Sequence, residues 1–212
     1  MARIVFDLDG TLVDSAPDLQ SVANDLLAAR NTAPITLDQA RAFMGMGIKV
    51  FVARLCAARN LPETEQAPLL ADFMARYEQA VTLTLVYPHV AETLATLQAA
   101  GHRLGLCTNK PMQPALALLR HLNFAQYFTK VIAGDSLPSH KPDPAPLLAA
   151  FEMGGNGPDI YVGDSEVDGE TARRAGVPLL LFTEGYRHTP LADLPHLAAF
   201  SDFRQLAGLI PA

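Results

Sequence analysis

The residues with the clearest chemical potential lie near the start of the chain, in the run Asp7-Leu8-Asp9-Gly10-Thr11. They end a short apolar stretch, Arg3 to Leu8, that is typical of a strand buried on both faces of a parallel sheet. Side chains alternate along a strand, so Asp7 and Asp9 are expected on one side of the chain. Two carboxylates this close repel each other unless a cation or a shared proton intervenes. The pattern predicts a nucleophile with an acid–base partner at a Mg²⁺ site; the alternative is a strand ending in an ordinary Asp-Gly turn.

Three further polar clusters follow other apolar runs. Asp164 ends one run and Asp168 follows four residues later, which suits either Mg²⁺ chemistry or a plain helix cap. The turn Thr108-Asn109-Lys110 offers a hydroxyl, an amide and free N–H groups for a phosphate, although it is also an ordinary polar turn. Lys141 lies on a proline-stiffened loop, where it is either a phosphate-binding cation or a solvated lysine. Together the clusters supply the groups that a single phosphate site needs.

These residues require a scaffold that brings the ends of several strands together. Apolar runs alternate with stretches of helical periodicity, which predicts a parallel α/β sheet. Ligands of such sheets bind beyond the carboxyl ends of the strands, where all four clusters are expected. The predicted strands are Arg3–Leu8, Arg103–Thr108, Lys130–Ala133, Ile160–Gly163 and Pro178–Phe182.

The segment between the first two predicted strands breaks this rhythm. From Ser15 to about Thr82 the chain holds three amphipathic stripes and no good strand, far more helix than an ordinary crossover needs. We therefore expect a doubly wound parallel sheet, a Rossmann-like α/β core of residues 1–14 and 83–212, with an inserted α-helical cap domain at 15–82. The stripes are Leu19, Val22, Leu26 and Leu27; Ile48, Phe51, Val52, Leu55 and Cys56; and Leu69, Leu70, Phe73, Met74 and Tyr77.

Composition limits the classes of function. The 212 residues carry 16 Lys+Arg and 22 Asp+Glu, a formal net charge of -6, which argues against nucleic acid or a membrane surface as partner. Apolar runs all fall short of the roughly 20 residues of a membrane span. The two cysteines, Cys56 and Cys107, are too few for a disulfide scaffold and fit a cytoplasmic setting as inert thiols.

The four clusters give the sequence a recognisable pattern. It resembles the haloacid dehalogenase-like phosphohydrolases, whose first motif is similar to Asp7–Ser15, and whose later motifs are similar to Thr108, Lys141 and the pair Asp164 and Asp168. The resemblance covers nearly the whole chain and implies the fold described above.

A closer resemblance is to the phosphoglycolate phosphatases. It is carried by the stretches Gly134–Pro138, Lys141–Leu148 and Val162–Gly176. It implies an enzyme that hydrolyses 2-phosphoglycolate to glycolate and phosphate. Neighbouring phosphatases share much of this pattern, so another sugar phosphate, a nucleoside monophosphate or pyrophosphate stays open as substrate. A phosphomutase and a binding protein with a relic site are the remaining alternatives.

The family resemblance also implies roles for individual residues. Asp7 forms an aspartyl-phosphate, and Asp9 acts as general acid and then general base. Mg²⁺ is held by Asp7, the backbone carbonyl of Asp9, and Asp164. Phosphate is bound by Thr108 and Lys141, with Asn109 near the phosphate or the leaving group. Asp168 orients either Lys141 or a metal-bound water.

The helical insert is expected, by the same resemblance, to close over the metal. Its Gly45-Met46-Gly47 turn either faces the non-phosphate end of the substrate or is a plain helix–helix turn. Lys49 beside that turn is more consistent with a solvated lysine than with a Schiff-base former. The expected partner is a small phosphate ester, and the expected assembly is a monomer or homodimer.

Overall fold

The fold is a parallel sheet between layers of helices. The structure is a computed structural model and describes residues 1–210. In chain order the elements are β1 (Arg3–Phe6), β2 (Val13–Asp14), α1 (Ala16–Ala28), α2 (Leu37–Phe43), α3 (Ile48–Ala58), α4 (Gln66–Tyr77), β3 (Leu85–Val86), α5 (Val90–Ala99), β4 (Arg103–Cys107), α6 (Met112–His121), β5 (Phe128–Ile132), α7 (Ala145–Phe151), β6 (Asp159–Gly163), α8 (Glu166–Ala175), β7 (Leu179–Phe182), β8 (Ala198–Phe200) and α9 (Leu206–Leu209). Over these residues no helix has the length and apolar character needed to cross a bilayer.

The six-stranded sheet has the order β5-β4-β1-β6-β7-β8, and every pairing in it is parallel. Strand β1 is central, and Phe6 lies level with Leu106 of β4 and Val162 of β6. The chain winds outward from β1 in both directions, so the carboxyl end of β1 is a topological switch point. The predicted doubly wound α/β fold is confirmed.

The sheet is apolar because both of its faces are covered. Ile4 and Phe6 of β1 pack into a core with α5, α6 and α9, whereas Val5 faces the opposite core with α7 and α8. All three side chains are fully buried. This alternation explains why the strand reads as a continuous hydrophobic run.

The structure contains strands that the sequence pattern did not predict. All five predicted strands are present, with ends shifted by up to two residues. The edge strand β8 was missed because Ala198 and Ala199 carry little hydrophobic signal and are only half-buried. The short antiparallel pair β2 and β3 was missed because each strand has two residues, too few to show a period.

Residues 15–82, which we call the helical segment, contain helices α1 to α4 and no strand. The helices enclose a separate hydrophobic cluster, in which Phe51 packs edge-on against Phe73 with a 5.5 Å centroid distance. Met74 departs from the predicted stripe, since it is 37% exposed. Helix α2 was not predicted, because only Ala40 of its seven residues is buried and no stripe results.

The two thiols are buried in separate parts of the structure, Cys56 in the helical segment and Cys107 at the end of strand β4. Burial raises the pKa of Cys107 to about 12; the carboxylates of Asp7 and Asp168 add to this effect, and Lys141 opposes it. Thiolate is the reactive form, so both thiols are expected to react with a disulfide reagent at neutral pH only after unfolding. Counting accessible thiols with and without denaturant checks this, and rapid native labelling would contradict it.

Candidate active site

Asp7 and Asp9 lie directly beyond β1, where the sheet switches direction. Gly10 then turns the chain with a φ of +92°, and its amide donates to the carbonyl of Val13 at 2.8 Å. This turn leaves Asp7 buried and the side chain of Asp9 14% exposed. The predicted pair of carboxylates is therefore at the carboxyl edge of the sheet.

Lys141 brings three of the predicted site residues together. Its Nζ lies 2.9 Å from Oδ1 of Asp7 and donates to Oδ1 of Asp168 at 2.8 Å. Its third polar neighbour is the hydroxyl of Tyr161, at 2.9 Å. The lysine is 2% exposed, so this buried cation links the end of β1 to helix α8.

The carboxylate of Asp168 is fully occupied by protein donors. Lys141 and Tyr161 donate to Oδ1, and the side chain and amide of Ser165 donate to Oδ2. Ser165 is also the N-cap of α8 in a reciprocal capping box with Asp168. Of the two predicted roles for Asp168, this geometry favours orienting Lys141.

Asp164 is held from the opposite side. Its Oδ1 accepts from the hydroxyl of Thr11 at 2.8 Å, and its Oδ2 accepts from the amide of Tyr186 at 2.7 Å. The hydroxyl of Tyr186 in turn accepts from the amides of Ser15 and Ala16, at the start of the helical segment. Asp164 is thus fixed by groups that also anchor that segment.

Gly10 is required at its position for steric reasons. A Cβ there would lie 2.4 Å from Oδ2 of Asp164 and 2.7 Å from the Tyr186 ring, and the positive φ adds strain. Gly10→Ala is therefore expected to displace Asp164 and to lower the free energy of unfolding by about 1–3 kcal/mol. Thermal unfolding and a metal titration of activity check this; wild-type values in both would show that the turn adapts.

Thr108 and Asn109 form the next wall of the site. Thr108 follows β4, is 3% exposed and accepts from the amide of Lys110 at 3.2 Å. The side-chain amide of Asn109 donates to the carbonyls of Gly45 and Lys141, at 3.1 and 3.0 Å. Asn109 consequently ties the helical segment to the loop that carries Lys141.

Lys110 is a site residue that sequence reasoning did not select. Its Nζ donates to Oδ1 of Asp9 at 3.1 Å and to the hydroxyl of Tyr77 at 2.8 Å. The sequence pattern places Tyr77 only in an apolar stripe, which becomes part of α4. The signal available was the position of Lys110 beside Thr108; nothing in the sequence places Tyr77 next to it.

The arrangement fits a divalent cation. Carboxylate oxygens of Asp7, Asp164 and Asp168 lie within 4.8 Å of one another, and all three residues are buried. The four carboxylates here, the fourth being Asp9, face two ammonium groups, so the cluster has a formal charge of −2. Mg²⁺ prefers oxygen donors of this kind and would neutralise that charge. Each oxygen of Asp168 accepts at least two hydrogen bonds, whereas each oxygen of Asp164 accepts one. Asp7 and Asp164 are therefore the better suited ligands.

The pKa shifts of the carboxyl groups reflect the same excess of negative charge. Burial, reinforced by Asp168 and opposed by Lys141, raises the pKa of Asp7 to about 7. Burial and the charges of Asp168 and Asp7 raise the pKa of Asp164 well above its ordinary range. The pKa of Asp168 is lowered below its ordinary value, because Lys141 and the hydrogen bonds from Tyr161 and Ser165 together outweigh the effect of burial. A cation bound between Asp7 and Asp164 would therefore favour their ionised forms.

Two cavities meet at Asp7 and Asp9, on either side of the Met44–Gly47 turn. The inner cavity has a volume of about 30 Å³ and lies between Asp7, Asp9, Thr108 and Lys110 of the core and the helical segment. The outer cavity has a volume of about 230 Å³ and is lined by Asp164, Glu166, His188 and Arg54, among others. Lys49 is exposed and lines neither cavity, in keeping with a solvated lysine.

Comparison with known proteins assigns the family. The sequence profile of the haloacid dehalogenase-like hydrolases matches residues 4–182. A protein of Rhodobacter capsulatus named phosphoglycolate phosphatase is 44% identical over 98% of this chain and 95% of its own length. One of the same name from Cereibacter sphaeroides (strain ATCC 17029) is 46% identical over 99% of this chain and 98% of its own length.

A solved structure agrees with both. The crystal structure of a predicted phosphoglycolate phosphatase from Haemophilus somnus 129PT has a TM-score of 0.90 with 32% identity, over 98% of this chain and 96% of that one. The match therefore extends over the sheet, the helical segment and the acidic cluster alike. The chain belongs to the haloacid dehalogenase-like hydrolases, in the phosphoglycolate phosphatase family, and is a phosphoric monoester hydrolase.

Proposed function

We propose that the chain hydrolyses 2-phosphoglycolate to glycolate and phosphate through a phosphorylated Asp7. The observation that carries the proposal is the position of Asp7, whose carboxylate contacts a buried lysine at the meeting point of the two cavities. Asp9 lies beside Asp7, where an acid–base partner must be to exchange a proton with the leaving group. The name shared by the relatives in Rhodobacter and Cereibacter supports the choice of substrate.

In the first step, a carboxylate oxygen of Asp7 forms a bond to phosphorus, and the bond from phosphorus to the glycolate oxygen breaks. Asp9 gives its proton to that leaving oxygen. The products of the step are free glycolate, phosphorylated Asp7 and ionised Asp9.

In the second step, water attacks phosphorus and Asp9 removes its proton. The bond from phosphorus to the Asp7 oxygen breaks, which releases phosphate and restores both carboxyl groups to their starting states. Proton transfer of this kind accelerates a reaction by about 10²–10⁴-fold.

Thr108 and Lys141 are proposed to bind the phosphoryl oxygens, on which charge is spread in the transition state. Lys141 suits this role because Asp168 and Tyr161 fix its ammonium group within 2.9 Å of Asp7. Asn109 is proposed to act near the phosphate or leaving group by holding the Gly45 turn against the Lys141 loop.

Mg²⁺ is the proposed cofactor, held by Asp7, the Asp9 backbone carbonyl and Asp164. When bound, it neutralises the repulsion between Asp7 and the anionic phosphate. The formal charge of −2 in the cluster and the raised pKa of Asp164 support a divalent ion at this position.

Residues 15–82 are proposed to form a cap domain, and residues 1–14 with 83–212 the catalytic core. The separate hydrophobic cluster of α1–α4 supports this division. Polar contacts join the two parts beside the site, among them Asn109 to Gly45 and Lys110 to Tyr77. A cap closed in this way excludes water and restricts the substrate to small esters.

Phosphate release from a panel of small phosphorylated compounds and pyrophosphate tests the proposed function. The panel contains 2-phosphoglycolate, hexose phosphates, nucleoside monophosphates and pyrophosphate, each with Mg²⁺ and with excess chelator. We expect kcat/KM for 2-phosphoglycolate far above the others, and its loss with chelator. Similar values across the panel would contradict the substrate assignment, and full activity in chelator would contradict the metal.

A further inference from the structure

Lys110 occupies an unusual position for a lysine. It follows β4, its side chain is 2% exposed, and its ammonium group lies 4.5 Å from the centroid of the Tyr77 ring. A buried ammonium is costly unless it is paired, so its partners indicate what the position is for.

Lys110 has two partner groups for its three N–H donors. Among residues 1–210 its Nζ donates to Oδ1 of Asp9 at 3.1 Å, to Oδ2 of the same carboxylate at a longer 3.4 Å, and to the hydroxyl of Tyr77 at 2.8 Å. The second contact with Asp9 is the weakest of the three, so its N–H can turn to a further acceptor. The adjacent space is the inner cavity, in whose wall Lys110 lies.

Most of the wall that the helical segment contributes to the inner cavity is apolar. Leu19, Met44, Ile48 and Phe51 supply the apolar part, and Tyr77 is the polar side chain from this segment. Within the described part of the chain, Lys110 is the one cationic residue in its lining. In such surroundings an anionic group needs a cationic partner, and a charge pair is stronger than in water.

We propose that Lys110 binds the carboxylate of the leaving group and so selects phosphate esters of small hydroxy acids over those of neutral alcohols. The inference rests on the proposed function, in which Asp9 protonates the leaving oxygen. In 2-phosphoglycolate the carboxylate carbon is two bonds from that oxygen. This places the carboxylate close to Asp9, within reach of Lys110, whose Nζ lies 3.1 Å from Oδ1 of Asp9.

Tyr77 makes this selection dependent on the cap. Its hydroxyl comes from α4 and fixes the ammonium group of Lys110 at 2.8 Å. Burial raises the pKa of Tyr77 to about 12, which keeps the hydroxyl neutral at physiological pH. The binding position for the carboxylate is then complete only when α4 lies against the core.

The test compares 2-phosphoglycolate with its amide, in which a neutral group of similar size replaces the carboxylate. Both are assayed on the wild type and on Lys110→Met, with Mg²⁺ present. Lys110→Met removes a partner of Asp9 and is expected to lower kcat/KM for both esters. For the acid the loss is expected to be roughly 10- to 100-fold greater than for the amide, the value of a charge-assisted hydrogen bond.

Two control variants separate this role from others. Lys49→Met makes the same change at an exposed lysine of α3 and is expected to keep the wild-type ratio of acid to amide. Arg54→Met removes the cation of the outer cavity, whose guanidinium donates to the carbonyl of Ala42. Loss of the ratio in Arg54→Met with retention in Lys110→Met would overturn the proposal.

Equal losses for acid and amide in Lys110→Met would also overturn it, because Lys110 would then act only through Asp9. If that variant does not fold, the wild type decides: a ratio of acid to amide near one refutes the proposal. The proposed function alone is refuted if the wild type does not hydrolyse 2-phosphoglycolate but hydrolyses another hydroxy-acid phosphate faster than the corresponding amide. If the wild type hydrolyses neutral esters faster than all the hydroxy-acid phosphates, both the role of Lys110 and the proposed function are refuted.

Discussion

Asp7→Asn is expected to lower kcat by at least about 10⁴-fold, the scale seen when a nucleophile is removed from an enzyme. The amide is nearly isosteric but does not attack phosphorus. The fold is expected to be retained or slightly stabilised in chelator. Burial raises the pKa of Asp7 to about 7, so its ionised form is disfavoured in the folded state. Steady-state kinetics with Mg²⁺ and thermal unfolding in chelator measure the two effects.

The sign of the stability change separates chemistry from folding. A group whose folded-state pKa is raised opposes folding above its unfolded pKa, so the neutral amide removes that opposition at neutral pH. A large loss of activity without a lower Tm therefore assigns Asp7 to the reaction itself. Activity close to wild type in Asp7→Asn would end the aspartyl-phosphate mechanism.

Lys141→Met is expected to destabilise the protein by about 3–5 kcal/mol, the cost of leaving buried charges without their partner. The variant keeps the length of the side chain but leaves the carboxylates of Asp7 and Asp168 facing each other. At about 2–4 °C per kcal/mol for a chain of this size, Tm is expected to fall by roughly 6–20 °C in chelator. Activity is expected to fall with it, because the variant lacks the proposed phosphate-binding cation.

The loss of stability in Lys141→Met is expected to depend on pH. Without Lys141 the two carboxylates take up protons more readily, which relieves their repulsion as the pH falls. The difference in stability from wild type is therefore expected to grow as the pH rises above about 4, the ordinary range of aspartate. Lys130→Met serves as control, since Lys130 pairs with the 74% exposed Glu152. A change in Tm no larger than that of the control would show that the cluster does not depend on Lys141.

The sheet and the main polar clusters could be predicted because parallel strands leave strong local signals. Strands buried on both faces read as apolar runs, and polar residues such as Asp7, Thr108 and Asp164 mark where each run ends. The convergence of these ends then follows from topology. Edge strand β8 gave no such signal, because a half-buried Ala-Ala-Phe segment is indistinguishable from a loop.

Contacts between distant elements were beyond the sequence pattern. Lys110 and Tyr77 are 33 residues apart, and their meeting depends on how α4 packs against the core. In the sequence Tyr77 is one more apolar member of a helical stripe, because its ring is buried and packs edge-on against Phe73. The sequence pattern did not distinguish whether Asp168 orients Lys141 or a metal-bound water. The structure favours Lys141, because the oxygens of Asp168 accept from Lys141, Tyr161 and Ser165.

The stereochemical course at phosphorus tests the central claim most directly. Two successive in-line displacements, first by Asp7 and then by water, each invert the configuration. We therefore expect net retention when the wild-type enzyme hydrolyses an isotopically chiral phosphorothioate analogue of 2-phosphoglycolate. Retention does not depend on whether the phosphorylated enzyme accumulates. Net inversion would show a single direct attack by water and would contradict the role proposed for Asp7.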